Sequence, residues 1–189
     1  MTVTTPVRHA SPESRPTPSA RRVLPRLGAR ARRITLIVHL ASAGAWLGMD
    51  VVLGILVMFA LNAPSTPAAA LAIAIGTFVG WPLVGAALLT LLSGVVLGLG
   101  SKYGLVRYRW VLVKLIITLV LIGLVVGVLV PSVAQFTTTA SAALGSSGEF
   151  ELDRQMVFPP VVSSLALLFA MTLSVVKPWG RRRGTAAAR

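Results

Sequence analysis

No cysteine occurs in the 189 residues, so disulfides, thiolate metal sites and cysteine nucleophiles are excluded. Acidic residues are almost as scarce: five carboxylates stand against 18 lysines and arginines, a formal net charge of +13. Glu149, Glu151 and Asp153 crowd into one stretch that reads as a solvated acidic loop, with a weak calcium site as the other reading. Phosphate-binding loops, catalytic triads and paired catalytic carboxylates are absent, which weighs against an enzyme without excluding one. Histidine is limited to His9 and His39, and lysine to Lys102, Lys114 and Lys177. The dominance of arginine, with abundant Ala, Gly and Val, suggests a high-GC bacterial source.

What is plentiful is apolar. Hydrophobic residues make up 55% of the chain, and mean hydropathy is +0.82. A soluble domain has an apolar share of roughly 45–50%, glycine included. Here the apolar residues are also gathered into long runs, which a water-soluble core does not need. The fold class expected is all-α, a membrane-embedded four-helix bundle.

A helix needs about 20 apolar residues to cross a hydrocarbon core roughly 30 Å thick. Ile34–Leu61 is the first such run, ended by Asn62, Pro64 and Pro67. It starts too late and runs too long for a signal peptide, and reads as a retained helix. The second apolar stretch, Ala68–Gly100, exceeds one crossing. Pro82 lacks an amide donor and should kink or divide it, leaving a span at about 78–100 and a helical lead-in at 68–77. The third span is expected at 110–130, closed by Pro131, and the fourth at 161–176 or from an earlier start near 156–158, with Pro159 and Pro160 tolerated in its first turn. Residues 131–160 then form a long outer loop.

Residues 1–33, rich in Pro, Ser, Thr and Arg, read as a disordered basic tail. A second basic tail occupies 180–189. The basic residues lie in these tails and in the 101–109 loop, whereas 62–67 has none and 132–158 only Arg154. The positive-inside bias therefore places both termini and the 101–109 loop in the cytoplasm, and the acidic loop outside a bacterial inner membrane. Charges at span ends meet anionic headgroups, and this placement argues against nucleic acid as a partner. Lys102, Tyr103, Arg107, Arg109 and Trp110 interleave as an interfacial belt needs, and Lys177 and Trp179 do so at the other tail. Lys114, one turn inside the third span, has a stem long enough to reach the headgroups.

Glycine pairs four apart, Gly44/Gly48, Gly76/Gly80, Gly94/Gly98 and Gly123/Gly127, predict close helix packing. Two ionisable residues interrupt the first span. At 100° per residue His39, Ala43, Trp46 and Asp50 share one stripe, with His39 and Asp50 about 16 Å apart along the axis. A carboxylate at that depth costs roughly 2.5–3.5 kcal/mol on insertion scales, so Asp50 should face the bundle interior or be protonated. Three readings remain open. His39 lies near the cytoplasmic headgroups while Asp50 bonds to Ser, Thr or backbone groups of neighbouring helices; or His39 ligates haem, with Met49, Met58, Met171, another subunit or an open position opposite; or Asp50 marks an ion or proton path. Met49, Met58, Met156 and Met171 lack the clustering that a copper site requires.

The stretch His39-Leu-Ala-Ser-Ala-Gly-Ala-Trp46-Leu-Gly48 resembles the first-helix motif of copper-resistance-D-like membrane proteins, in which a histidine and small residues precede Trp-x-Gly. Ser101-Lys-Tyr-Gly-Leu-Val-Arg-Tyr-Arg-Trp-Val-Leu-Val-Lys114 and Val176-Lys-Pro-Trp-Gly-Arg181 resemble the loop and tail of an actinobacterial family of predicted integral membrane proteins of unknown function. This likeness implies a four-helix membrane bundle and, through distant relatives, haem b or metal chemistry. Those relatives often carry further membrane histidines, whereas His39 is the only one here. The expected role is a membrane scaffold or accessory subunit, in a homo-oligomer or larger membrane complex. The alternatives are a haem- or metal-associated redox or transport protein using His39, and an ion path through Asp50.

Overall fold

The computed structural model describes residues 28–100, 109–146 and 148–176. Of these residues 92% are helical, and no strand occurs among them. Four rods, Ala29–Leu61, Ser65–Leu99, Arg109–Ser146 and Arg154–Val176, are long and apolar enough to cross a membrane.

Helix α1 (Ala29–Leu61) has 33 residues, about 50 Å of rise at 1.5 Å per residue. It begins before Ile34, so Ala29–Arg33 belong to the helix and not to the expected tail. The remainder of that tail, residues 1–27, lies outside the described residues. Asn62 closes the helix by donating from Nδ2 to the carbonyl of Met58 at 2.7 Å, which satisfies one of the last-turn acceptors. Helix α2 (Ser65–Phe78) follows directly after Pro64, with Pro67 in its first turn where no amide is needed. The expected connection 62–67 therefore shrinks to three residues, and the lead-in at 68–77 is part of α2.

Pro82 does interrupt the second rod. Gly80 has φ −62° and ψ −124°, outside helical values, within a π-turn at Val79–Leu83. The wider turn absorbs the missing amide of Pro82 and the clash of its ring. Helix α3 (Val84–Leu99) continues in a new direction.

The third rod corrects the sequence reading. Pro131 does not end it. Helix α4 (Arg109–Leu124) passes through a second π-turn, Val125–Leu129, into α5 (Val130–Ser146). The amide of Val130 bonds to the carbonyl of Val125, five residues back. That widened register lets the helix carry a proline without stopping. Most of the expected 131–160 loop is thus helix α5.

Only a short strap separates α5 from the fourth rod. In it Glu149, Glu151 and Asp153 are exposed while Phe150 and Leu152 are buried. This period of two belongs to an extended segment that plugs the end of the core and leaves its carboxylates in solvent. The Phe150 amide donates to Ser65 Oγ at 2.7 Å, tying the strap to the start of α2. Asp153 Oδ1 accepts from the Gln155 amide at 2.9 Å, capping the 3-10 turn Arg154–Val157. Helix α6 (Phe158–Val176) then begins at the earlier of the two expected starts.

At the end nearest Arg109, α1, α3, α4 and α6 form a closed ring of neighbours. At the strap end α1 packs on α2, and α2 on α5. Alanine makes that second corner tight: Ala60, Ala68, Ala69, Ala72 and Ala140 are all buried. Short side chains let backbones approach, the main attraction between helices when the surroundings are as apolar as the side chains. The outward faces carry large apolar residues such as Ile37, Leu40, Phe59, Leu92 and Leu165, each more than 60% exposed.

The glycine pairs divide on inspection. A Cβ on Gly76 would lie 2.7 Å from Thr137 Oγ1, and one on Gly94 would lie 3.1 Å from His39 Cε1. Those two glycines let neighbouring helices meet. Gly44, Gly48, Gly80, Gly123 and Gly127 face open space, so the pairs in α1 and at Gly123/Gly127 do not pack this bundle.

Candidate functional site

The apolar stripe of α1 positions both of its ionisable side chains. Ala43, Trp46, Asp50, Leu53, Val57 and Ala60 are buried at intervals of three or four, with Ser42 buried beside the first, the repeat of one helical face. His39 lies at the edge of that face and is half-buried. The expected stripe therefore exists, with its histidine end partly open.

His39 meets α3. Its Nδ1 lies 3.1 Å from the carbonyl of Thr90 and 3.1 Å from Ser93 Oγ. The carbonyl only accepts, and Ser93 gives its own proton to the carbonyl of Leu89 at 2.6 Å. Both partners therefore call for a donor, which places the proton of the neutral ring on Nδ1 and leaves the lone pair on Nε2. Gly94 supplies the space against which the ring rests. A second link lies one turn further along: Thr90 Oγ1 is 3.0 Å from Ser42 Oγ, and Ser42 Oγ donates to the carbonyl of His39. Two helices are joined by a compact polar cluster.

Asp50 meets α6. Ser163 donates to Asp50 Oδ2 at 2.6 Å, and both residues are buried. Between the two polar contacts stands Trp46, fully enclosed, whose Nε1–H has no acceptor among the described residues. On the buried face of α1 it lies between His39 and Asp50.

The other sequence-selected residues divide by position. Lys114 donates from Nζ to Ser174 Oγ on α6 at 2.8 Å, and its ammonium stands 4.7 Å from the Trp110 ring centre. It fastens α4 to α6 and does not simply extend away. Arg109 is exposed at the start of α4. Lys102, Tyr103, Arg107, Lys177 and Trp179 lie outside the described residues.

Among the described residues no group of three or more His, Cys, Asp or Glu converges. Met49 and Met58 share a helix with His39, about 15 Å and 28 Å away along its axis, too far to complete one iron site with it. Two clefts, of about 560 and 420 Å³, open elsewhere, and neither is lined by His39 or Asp50. Comparison with family models, curated proteins and solved structures finds no match for this chain.

The partner residues Ser42, Thr90, Ser93 and Ser163 were not singled out from the sequence, and Gly94 was singled out only as a packing glycine paired with Gly98. A faint signal existed in Thr90-x-x-Ser93-Gly94, two hydroxyls one turn apart beside a glycine in an otherwise apolar run. Ser163 had none, because serine in a membrane helix usually bonds to its own backbone.

Proposed function

We propose that the chain is a four-helix bundle of a bacterial inner membrane with both termini cytoplasmic. Its role is that of a scaffold or accessory subunit, associating with itself or with another membrane protein. The distribution of basic residues supports the orientation, and the lengths and hydropathies of the four rods support the embedding. One observation carries the functional reading: both ionisable side chains of the first span are taken up by partners on neighbouring helices. His39 is bound to Thr90 and Ser93, and Asp50 to Ser163. Intramembrane polar groups used in this way fix packing. Ligation by His39 gains support from the lone pair on Nε2, but Met49 and Met58 lie too far along α1 to share an iron with it, and neither cleft is lined by His39. Against a path through Asp50 stands its enclosure, with the buried Trp46 one turn away on the same helix.

The test uses purified full-length protein. Expressed under haem-replete conditions it should be colourless, with no Soret band. In vesicles under a proton gradient, wild type and Asp50→Asn should leak no faster than empty vesicles. Flux in wild type that Asp50→Asn abolishes, or a Soret band lost in His39→Ala, would overturn the scaffold reading. Cross-linking in intact membranes should trap the chain with a second copy or another membrane protein.

A further inference from the structure

The larger cleft lies along the seam of α2 and α5, beside the break at Gly80. Its wall changes character along its length. Thr137, Thr138 and Ser141 line it toward the strap end, and Val130 and Val133 line it deeper, below the second π-turn. From Ser141 to Val130 it follows α5 for about 16 Å, close to half of a hydrocarbon core roughly 30 Å thick. Its volume of about 560 Å³ falls within the range of small-molecule sites, roughly 300–1,000 Å³.

The hydroxyls in this wall share one property. Thr77, Thr137, Thr138 and Ser141 each donate to a carbonyl of their own helix, at 3.3, 2.6, 2.6 and 2.8 Å. A hydroxyl has one proton and two lone pairs. With the protons committed, the wall offers only acceptors. None of the residues lining the cleft is charged. The fitting occupant has an apolar tail about one leaflet long and a head that donates hydrogen bonds, with no net charge to be balanced.

We infer that the α2–α5 cleft is a binding site for one phospholipid with a primary-ammonium head, phosphatidylethanolamine, its acyl chain along Val130 and Val133 and its head donors at the hydroxyl wall. The inference rests on the bilayer embedding proposed above. Phosphatidylcholine provides the control, since it has the same charge and tails but no N–H donor.

Full-length protein is incorporated into nanodiscs holding equal amounts of the two lipids, and the lipid retained on release is identified by native mass spectrometry. Wild type should retain phosphatidylethanolamine in about threefold to tenfold excess, the weight of one ordinary hydrogen bond. Thr137→Val with Thr138→Val should bring the ratio to that of the bulk, whereas Thr137→Ser keeps the excess. Ala134→Trp, at an exposed position lining the cleft, should lower retention of both lipids by filling the space. Equal retention of the two lipids by wild type overturns the site, as does an excess that survives both the valine pair and Ala134→Trp. A chain that does not enter nanodiscs overturns the bilayer reading with it, a result distinct from entry without preference.

Discussion

His39 and Asp50 stand on one helix and are held in unlike ways. His39 is half-buried, shares its proton between two acceptors of α3 and rests against Gly94. Asp50 is enclosed and receives a single hydroxyl from α6. The histidine thus belongs to a cluster in which each member has another bond, since Ser93 also reaches Leu89 and Thr90 also reaches Ala86. The aspartate depends on one neighbour. A polar group with several shared partners is a modest clamp, while one with a sole partner is a point of vulnerability, because losing that partner costs the desolvation of what remains.

Breaking the Asp50 contact should have the largest effect. Ser163→Ala leaves a buried carboxyl group without its donor and should destabilise the bundle by about 1–3 kcal/mol, read as lost resistance to denaturant in detergent. Joining it to Asp50→Leu should restore most of that loss, since removing both partners is nearly neutral. If the double variant is as weak as the sum of its parts, the contact is not the source. His39→Leu should cost less, about 1 kcal/mol, because Ser93 and Thr90 keep their intrahelical bonds. A cost above that of Ser163→Ala would reverse the ranking.

The glycines sharpen the comparison further. Gly94→Ala brings a methyl to 3.1 Å from the His39 ring and should lower stability only in the presence of that ring. The same change in a His39→Leu background should then have a different effect, measured as a double-mutant cycle. Gly44→Ala meets nothing and should raise helix stability by about 0.5–1 kcal/mol. A loss of self-association in that variant, seen by cross-linking, would identify the open face of α1 as an interface. This is the smallest change expected in the bundle itself.

Much of the architecture was visible in the order of residues. Four apolar runs appear as four rods, and Pro82 breaks the second. The same logic misplaced the end of the third. Proline in a helix with no room to widen is a stop, but here Val125–Leu129 widens to a π-turn and the helix continues. The polar composition of α5, with Gln135, Thr137, Thr138, Thr139 and Ser141, read as loop, and its hydroxyls instead bond to their own backbone. Of the site, only α1 was legible. Its stripe is local, set by 100° per residue, whereas the partners of His39 and Asp50 lie 51 to 113 residues away.

Hydropathy is a property of residues taken in order, so it alone announced four helices and the stripe of α1. Which glycines touch a neighbour is another matter: Gly44/Gly48 and Gly76/Gly80 have the same spacing, yet only Gly76 meets a second helix. The choice of Thr90, Ser93 and Ser163 as partners came from the rotation and crossing of whole helices, because contact depends on which faces meet and spacing within one helix carries no record of its neighbour.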